Sequence, residues 1–300
     1  MNLLKKIPTF VGLGTIGYYS YEWGSRYFYH SINENELDFI KRYGNCYGLV
    51  SGGSQGLGKE YANELAKRGI NLVLVARGQE SLEKAKQEIK EKHPQIDVKT
   101  ISFDFSTSNP SDYQKLASQL KDLDIGILVN NVGVFQHGPL HEANSKDLKN
   151  LLVVNTYPVT YLTQTFLPSL QKRNKKSLVI NVASEAGEFV HKEFPVYSAS
   201  KSYDIQLSKC LQQFYKGSNI DVSLFLPGPT YTPLVQKIDT DFNKTPYGKA
   251  YCADPSQAAK DSFRKIGYQS SIFGDQKHEY FHFMHRYFRS LSEYIYPQTK

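Results

Sequence analysis

Short apolar runs alternate with longer amphipathic stretches through most of the chain. Cys46–Val50, Asn71–Ala76, Val98–Phe103, Ile125–Val129 and Ser177–Ala183 are rich in Val, Ile and Leu. Such runs predict strands buried on both faces, as in parallel sheets. Between them, Lys59–Arg68 and Glu80–Lys92 place apolar residues at helical spacing, and Asn33–Tyr43 reads as a short charged helix leading to the first strand. No internal repeat or low-complexity segment interrupts the alternation. It predicts an α/β fold: a doubly wound parallel sheet with helices on both faces.

The ends differ from this pattern. Residues 1–44 read as an N-terminal extension, 45–270 as one nucleotide-binding domain and 271–300 as an amphipathic C-terminal tail. Ile7–Tyr21 is uncharged, follows Lys5–Lys6 and ends in a tyrosine cluster. It is shorter than the roughly 20 residues a spanning helix needs. A membrane anchor (spanning or lying on the surface), an uncleaved targeting segment and a soluble packing helix all suit it. Gly12-Leu-Gly14-Thr-Ile-Gly17 matches a dinucleotide fingerprint by letter only, because no strand precedes it. In the tail, Phe281, Met284, Phe288, Leu291 and Ile295 recur at helical spacing, which suits a docking helix or a basic amphipathic helix on a membrane. His278, His282 and His285 share that segment without the fourth ligand a zinc site wants.

Composition narrows the partners. Charged residues make up 22% and hydrophobic residues 40%, which leaves room for a sizeable core. The net charge of +7 favours anionic partners: a phosphorylated cofactor, an acyl-CoA-like substrate or an anionic membrane. No basic block interleaved with aromatics appears, so nucleic acid is excluded as a partner. The three cysteines, Cys46, Cys210 and Cys252, form neither a disulfide framework nor a zinc pattern.

The candidate chemistry follows the strands. The first runs into Ser51-Gly52-Gly53-Ser54-Gln55-Gly56-Leu57-Gly58 and then a helix. Glycines at such a turn let the backbone approach a pyrophosphate, and the helix N-terminus offers free N–H groups. The second strand ends at Ala76-Arg77, with no acidic residue to read a ribose 2′-hydroxyl. An arginine there suits a 2′-phosphate, so the expected cofactor is NADP(H). Asp104, at the end of the third strand, is placed to meet the adenine edge. Ser184 closes a buried strand and so faces the ligand crevice of an open α/β sheet. Tyr197 and Lys201 are four apart, on one face of a helix. A phenol ionises near pH ~10 in water, and a fixed ammonium favours its phenolate, so the pair forms an acid/base unit for an oxygen.

Together these motifs resemble the short-chain dehydrogenase/reductase family, over roughly residues 45 to 285. The glycine turn matches the family's TGxxxGxG, with serine at Ser51 for the usual threonine. Asn130-Asn131-Val132-Gly133 matches NNxG. Asn155, Ser184, Tyr197 and Lys201 match the four active-site positions, and Pro227-Gly228-Pro229-Thr230-Tyr231-Thr232 matches the turn that closes over the nicotinamide. The resemblance implies a Rossmann-type domain with Ser51, Gly52, Ser54, Gln55, Gly56, Leu57, Gly58, Arg77, Asp104, Asn131, Val132, Gly133, Tyr197, Lys201, Pro227, Gly228, Thr230 and Thr232 on the cofactor. It implies that Tyr197 donates a proton and Lys201 holds the nicotinamide ribose. Ser184 would bind the carbonyl oxygen, and Asn155 would hold a relay water.

Asn131-Val132-Gly133, Gly58-Lys-Glu-Tyr-Ala62 and Ala259–Gly267 are similar to the very-long-chain 3-oxoacyl-CoA reductase/17β-hydroxysteroid dehydrogenase branch. Val190–Pro195 and the absence of an apolar C-terminal segment depart from it, and Leu234–Asp254 would form the substrate lid. That branch implies a lipid-like ketone or alcohol as substrate, a membrane surface as partner and the endoplasmic reticulum membrane as location, with a mitochondrial membrane as the alternative. A homodimer or a membrane-complex partner is also open. The competing reading is a structural subunit of a membrane complex that retains the reductase fold.

Overall fold

The computed structural model describes residues 36–236 and 246–287, with 17, 18, 20, 21 and 24. The chain divides into one compact unit, Leu37–Glu279, and a second comprising 1–36 and 280–300, most of which lies outside the described residues. The candidate anchor at 7–21, the middle of the expected lid (237–245) and the tail from 288 also lie largely or wholly outside them. Among the described residues no helix is long and apolar enough to cross a membrane.

The compact unit opens with α1 (Phe39–Tyr43), capped by Asp38, whose carboxylate accepts the Lys41 N–H. It then alternates strand and helix: β1 (Tyr47–Ser51), α2 (Gly56–Lys67), β2 (Asn71–Ala76), α3 (Gln79–Lys92), β3 (Val98–Ser102), α4 (Pro110–Ser118) and β4 (Ile125–Asn130). There follow α5 (Ser145–Lys172), β5 (Ser177–Val182), α6 (Pro195–Phe214), β6 (Ile220–Phe225), α7 (Pro233–Gln236), α8 (Pro246–Tyr251), α9 (Pro255–Arg264), β7 (Ser271–Ile272) and α10 (Gln276–Tyr287). The strands form one parallel sheet in the order β3-β2-β1-β4-β5-β6-β7. The doubly wound arrangement expected from the alternation is therefore present. Two elements depart from the expected boundaries. In the helix expected over Asn33–Tyr43, residues 36–38 are not helical, and 33–35 lie outside the described residues. The last strand, β7, lies past residue 270, the expected end of the domain.

Strand residues alternate between the two faces of the sheet. Val50, Leu72, Leu74, Ile127 and Val129 join a core with Tyr61 and Leu65 of α2, Leu82 and Ile89 of α3, and Phe263 of α9. Leu49, Val73, Val75, Leu128 and Val179 join the other core with Tyr113 of α4 and Leu162, Phe166 and Leu170 of α5. Polar struts cross the sheet above these cores. Asn130 donates to Thr163 (2.9 Å) and to Asn181 (2.8 Å), which donates to Ser208 (2.9 Å), tying β4 and β5 to α5 and α6.

The opposite end of the sheet is braced by Arg173, just after α5. Its guanidinium meets both carboxylate oxygens of Asp124 (2.7 and 2.9 Å) and the carbonyls of Tyr43 and Lys176 (2.6 Å each). Removing it leaves the Tyr43 and Lys176 carbonyls without their donor, whereas the exposed Asp124 carboxylate can return to water. We expect Arg173→Met to lose about 1–3 kcal/mol of stability, read as a lower urea midpoint.

Candidate active site

Beyond β1 the chain turns through Gly52 (φ 68°) and Gly56 (φ 57°), conformations that suit glycine, and enters α2. A Cβ on Gly58 would lie 2.2 Å from the Gly52 carbonyl oxygen and 2.5 Å from the Asn131 side-chain nitrogen, so helix and strand can meet only without one. Gln55, at the N-cap, makes no side-chain cap bond to the first-turn N–H groups. Ser51 departs from its expected place. It is fully buried, its hydroxyl donates to the Val129 carbonyl (3.2 Å), and its oxygen accepts the N–H groups of Asn131 (2.9 Å) and Val132 (3.2 Å). The Asn131 amide donates in return to the Ser51 carbonyl (3.0 Å). Ser51 ties β1 to β4 and is not on the cleft wall.

The carboxyl ends of the central strands open on a cleft of about 460 Å³, within the ordinary size of a small-molecule site. Its lining brings together Gly52, Ser54, Gln55, Gly56, Leu57, Gly58, Arg77, Asp104, Asn131, Val132, Gly133, Ser184, Tyr197, Lys201, Pro227, Gly228, Thr230 and Thr232. Of the residues expected on the site, Ser51 and Asn155 do not line it. Arg77 is exposed, and its guanidinium has no hydrogen-bond or ion-pair partner among the described residues. Ser81, four residues on in α3, lines the same cleft and was not expected on it. Asp104 is exposed and accepts the Ser106 N–H (3.0 Å). A glycine cradle that a side chain would fill, uncapped helix amides and a free guanidinium fit a pyrophosphate-bearing dinucleotide.

Ser184, Tyr197 and Lys201 line this cleft together. Ser184 caps the short 3₁₀ turn Glu185–Gly187, accepting the Ala186 N–H (3.2 Å) and donating at 3.4 Å to the Pro227 carbonyl. Tyr197 lies in the first turn of α6, its ring packed on Phe135 (centroids 4.6 Å apart), and its hydroxyl has no hydrogen-bond partner among the described residues. The Lys201 ammonium is buried and donates to the Val182 carbonyl (3.1 Å) and to Asp204 (2.9 Å). Burial alone would push its pKa down; the Asp204 carboxylate and the Tyr197 phenol outweigh that and raise it, so the group stays cationic. Asp204 was not singled out in the sequence, although its position three residues after Lys201 puts it on the same helix face.

The Asn155 side chain is engaged by its protein neighbours. Its side-chain oxygen accepts the Val134 N–H (2.8 Å), and its amide donates to the Val134 carbonyl (3.0 Å) and to Ser200 (2.9 Å). Both N–H groups are occupied, so the side chain braces the loop after β4 against α6.

Two buried groups beside the cleft were not anticipated. Glu185 is almost fully buried, and its Oε2 has no hydrogen-bond partner. Burial, and then the nearby Glu188, pushes its carboxyl up to about 8. His278, considered above only as a metal ligand, is fully buried and bonded to the backbone at Gly228 and Pro229. Neither role is written in local sequence, since the partners of His278 lie 50 and 49 residues away.

The sequence model of the family described as short chain dehydrogenase matches residues 48–243. The Caenorhabditis elegans protein named "Putative steroid dehydrogenase 1" is 36% identical over 247 residues, covering 81% of this chain and 76% of its own. A very-long-chain 3-oxoacyl-CoA reductase of the same organism is also 36% identical, over 81% of this chain and 75% of its own. Among solved structures, a short-chain dehydrogenase from Sphingobium yanoikuyae in complex with NADPH superposes with a TM-score of 0.70 at 23% identity, covering 85% of this chain and 96% of its own. The chain belongs to the short-chain dehydrogenase family of oxidoreductases.

Glu185 makes stability depend on pH in a defined sense. The folded protein keeps the carboxyl proton to about pH 8, whereas the unfolded chain releases it near the ordinary value of 4.5. The folded state therefore loses stability as pH rises through that window. Glu185→Gln removes this loss. The melting temperature of the variant, relative to the unaltered protein, should be higher at pH 8.5 than at pH 5.

Proposed function

We propose that the protein is an NADPH-dependent carbonyl reductase acting on a lipid-like ketone, a 3-oxoacyl-CoA before an oxosteroid. The observation that carries this reading is that Ser184, Tyr197 and Lys201 line the same cleft as the glycine turn and the free Arg77. The names of the relatives support the substrate class. Arg77 supports NADP(H) over NAD(H), since a guanidinium matches a 2′-phosphate and an acidic residue would repel it. Gly52, Gly56, Gly58 and the first-turn amides of α2 would hold the pyrophosphate, and Arg77 with Ser81 the 2′-phosphate.

The chain's own residues would manage the oxygen and its proton. Ser184 holds its hydroxyl proton on a long bond to Pro227, so the group can turn to a substrate oxygen and stabilise the charge that develops there. The Tyr197 hydroxyl is free to donate to that oxygen, with the Lys201 cation one helical turn away. The nicotinamide, when bound, supplies the hydride. Asp204 and the Val182 carbonyl keep the ammonium in place. Asn155 holds Val134, which also lines the cleft. The sequence of the N-terminal stretch and the net charge of +7 support association with an anionic membrane surface, which we place at the endoplasmic reticulum.

The test is NADPH and NADH binding and oxidation with a long-chain 3-oxoacyl-CoA and with a steroid ketone. Tyr197→Phe should lower turnover by about 10²–10⁴-fold while NADPH still binds. Unchanged turnover in that variant would remove the proposed proton donor, and no binding of either nucleotide would remove the reductase reading. Arg77→Glu should weaken NADPH by about 10–100-fold and leave NADH nearly unchanged, read by titration of each nucleotide. Equal loss of both would refute the assignment of the 2′-phosphate to Arg77.

A further inference from the structure

The turn Pro227–Pro229 forms the cleft wall beside Ser184, and its backbone is anchored at almost every polar group. The Pro227 carbonyl accepts the Glu185 N–H (3.1 Å) and the Ser184 hydroxyl (3.4 Å). The Gly228 carbonyl accepts the Thr230 hydroxyl (3.0 Å). The Gly228 N–H donates to Nδ1 of His278 (3.1 Å), and Nε2 of the same ring lies 3.0 Å from the Pro229 carbonyl. A backbone N–H can only donate and a carbonyl can only accept, so the ring is neutral with its proton on Nε2.

The ring is held as firmly as it holds. It is fully buried, and Tyr251 meets it edge-on, with centroids 5.7 Å apart. The first turn of α10 is fixed by Asp275, which accepts the Lys277 N–H (2.7 Å). It is fixed again by the ion pair of Glu279 with the buried Lys265 (2.8 Å). On Gly228 a Cβ would fall 2.6 Å from the His278 ring and 2.9 Å from Glu185 Oε2, so the glycine is enclosed between the two side chains.

We propose that His278 is a positioning residue: its two ring nitrogens set the Pro227–Pro229 turn and, through the Pro227 carbonyl, the hydroxyl of Ser184 and the adjoining cleft wall. It does not line the cleft. The part of this inference that concerns the dinucleotide rests on the reductase reading; the part that concerns the turn does not.

The experiment compares His278→Phe, which keeps a ring and removes both bonds, with His278→Asn, which keeps an acceptor for the Gly228 N–H. Amide hydrogen exchange is read at Gly228 and Thr230, and NADPH affinity by titration. We expect His278→Phe to speed exchange at Gly228 and weaken NADPH by about tenfold each, the effect of leaving the Gly228 N–H without a partner, since the Pro229 carbonyl still accepts the Ala253 N–H (2.9 Å). His278→Asn should recover most of both. A folded His278→Phe protein with unchanged exchange overturns the inference, as does a His278→Asn protein no better than His278→Phe. If His278→Phe does not fold, exchange at Gly228 in His278→Asn decides: protection near that of the unaltered protein supports the clamp, and its loss refutes it. Failure of the unaltered protein to bind NADPH counts against the reductase reading alone, because exchange in the free protein still tests the clamp.

Discussion

The structure depends on the lacing of β1 to β4 where the strand order reverses. An open parallel sheet splits its connections at that point, one crossover going to each side, and leaves a crevice between two carboxyl ends. Those ends carry backbone groups with no further strand partners. Here Ser51 and Asn131 satisfy them reciprocally, hydroxyl to amide and amide to carbonyl, with Val132 drawn into the same oxygen. A hydroxyl is all the position needs, which explains why serine serves where the family usually has threonine. With the two strand ends fixed, the glycine turn on one and the loop after the other hold a constant separation. The close approach of Gly58 to Gly52 and Asn131 is possible only because of it.

The reactive end of the cleft depends on a similar fixation of charge. A lysine buried to this degree would ordinarily shed its proton, since desolvation disfavours the ammonium. Asp204 and the Val182 carbonyl prevent that and also aim the side chain. The cation beside Tyr197 is thus a built element of the site.

Much of this was legible in the sequence, for identifiable reasons. Parallel strands buried on both faces must be continuously apolar, so Asn71–Ala76, Ile125–Val129 and Ser177–Ala183 declared themselves within a residue or so. Glycine turns and the Tyr197–Lys201 interval are local geometry, and local geometry survives in linear order. What stayed hidden is tertiary. Ser51 and Asn155 carry letters that match cofactor and catalytic positions, yet the side chain of each is engaged by partners far away in sequence. Asp204 reads as an ordinary helical carboxylate until the fold buries it with Lys201. His278 meets Gly228 and Pro229 only after β7 and the start of α10 have folded back on the end of β6. No periodicity carries that information.

The outer strands have a bearing on how copies of the chain could meet. β7 contributes only Ser271 and Ile272, and the opposite outer strand, β3, sets the Lys99–Asp97 ion pair along its rim. A ladder of two residues gives another chain almost nothing to pair with, and charges along a rim oppose the flat, dry contact that sheet-to-sheet joining requires. Among the described residues, then, neither outer strand offers a long apolar ladder for another chain to extend. Contact through the helical faces of this unit instead rests on side-chain complementarity, not on exposed backbone.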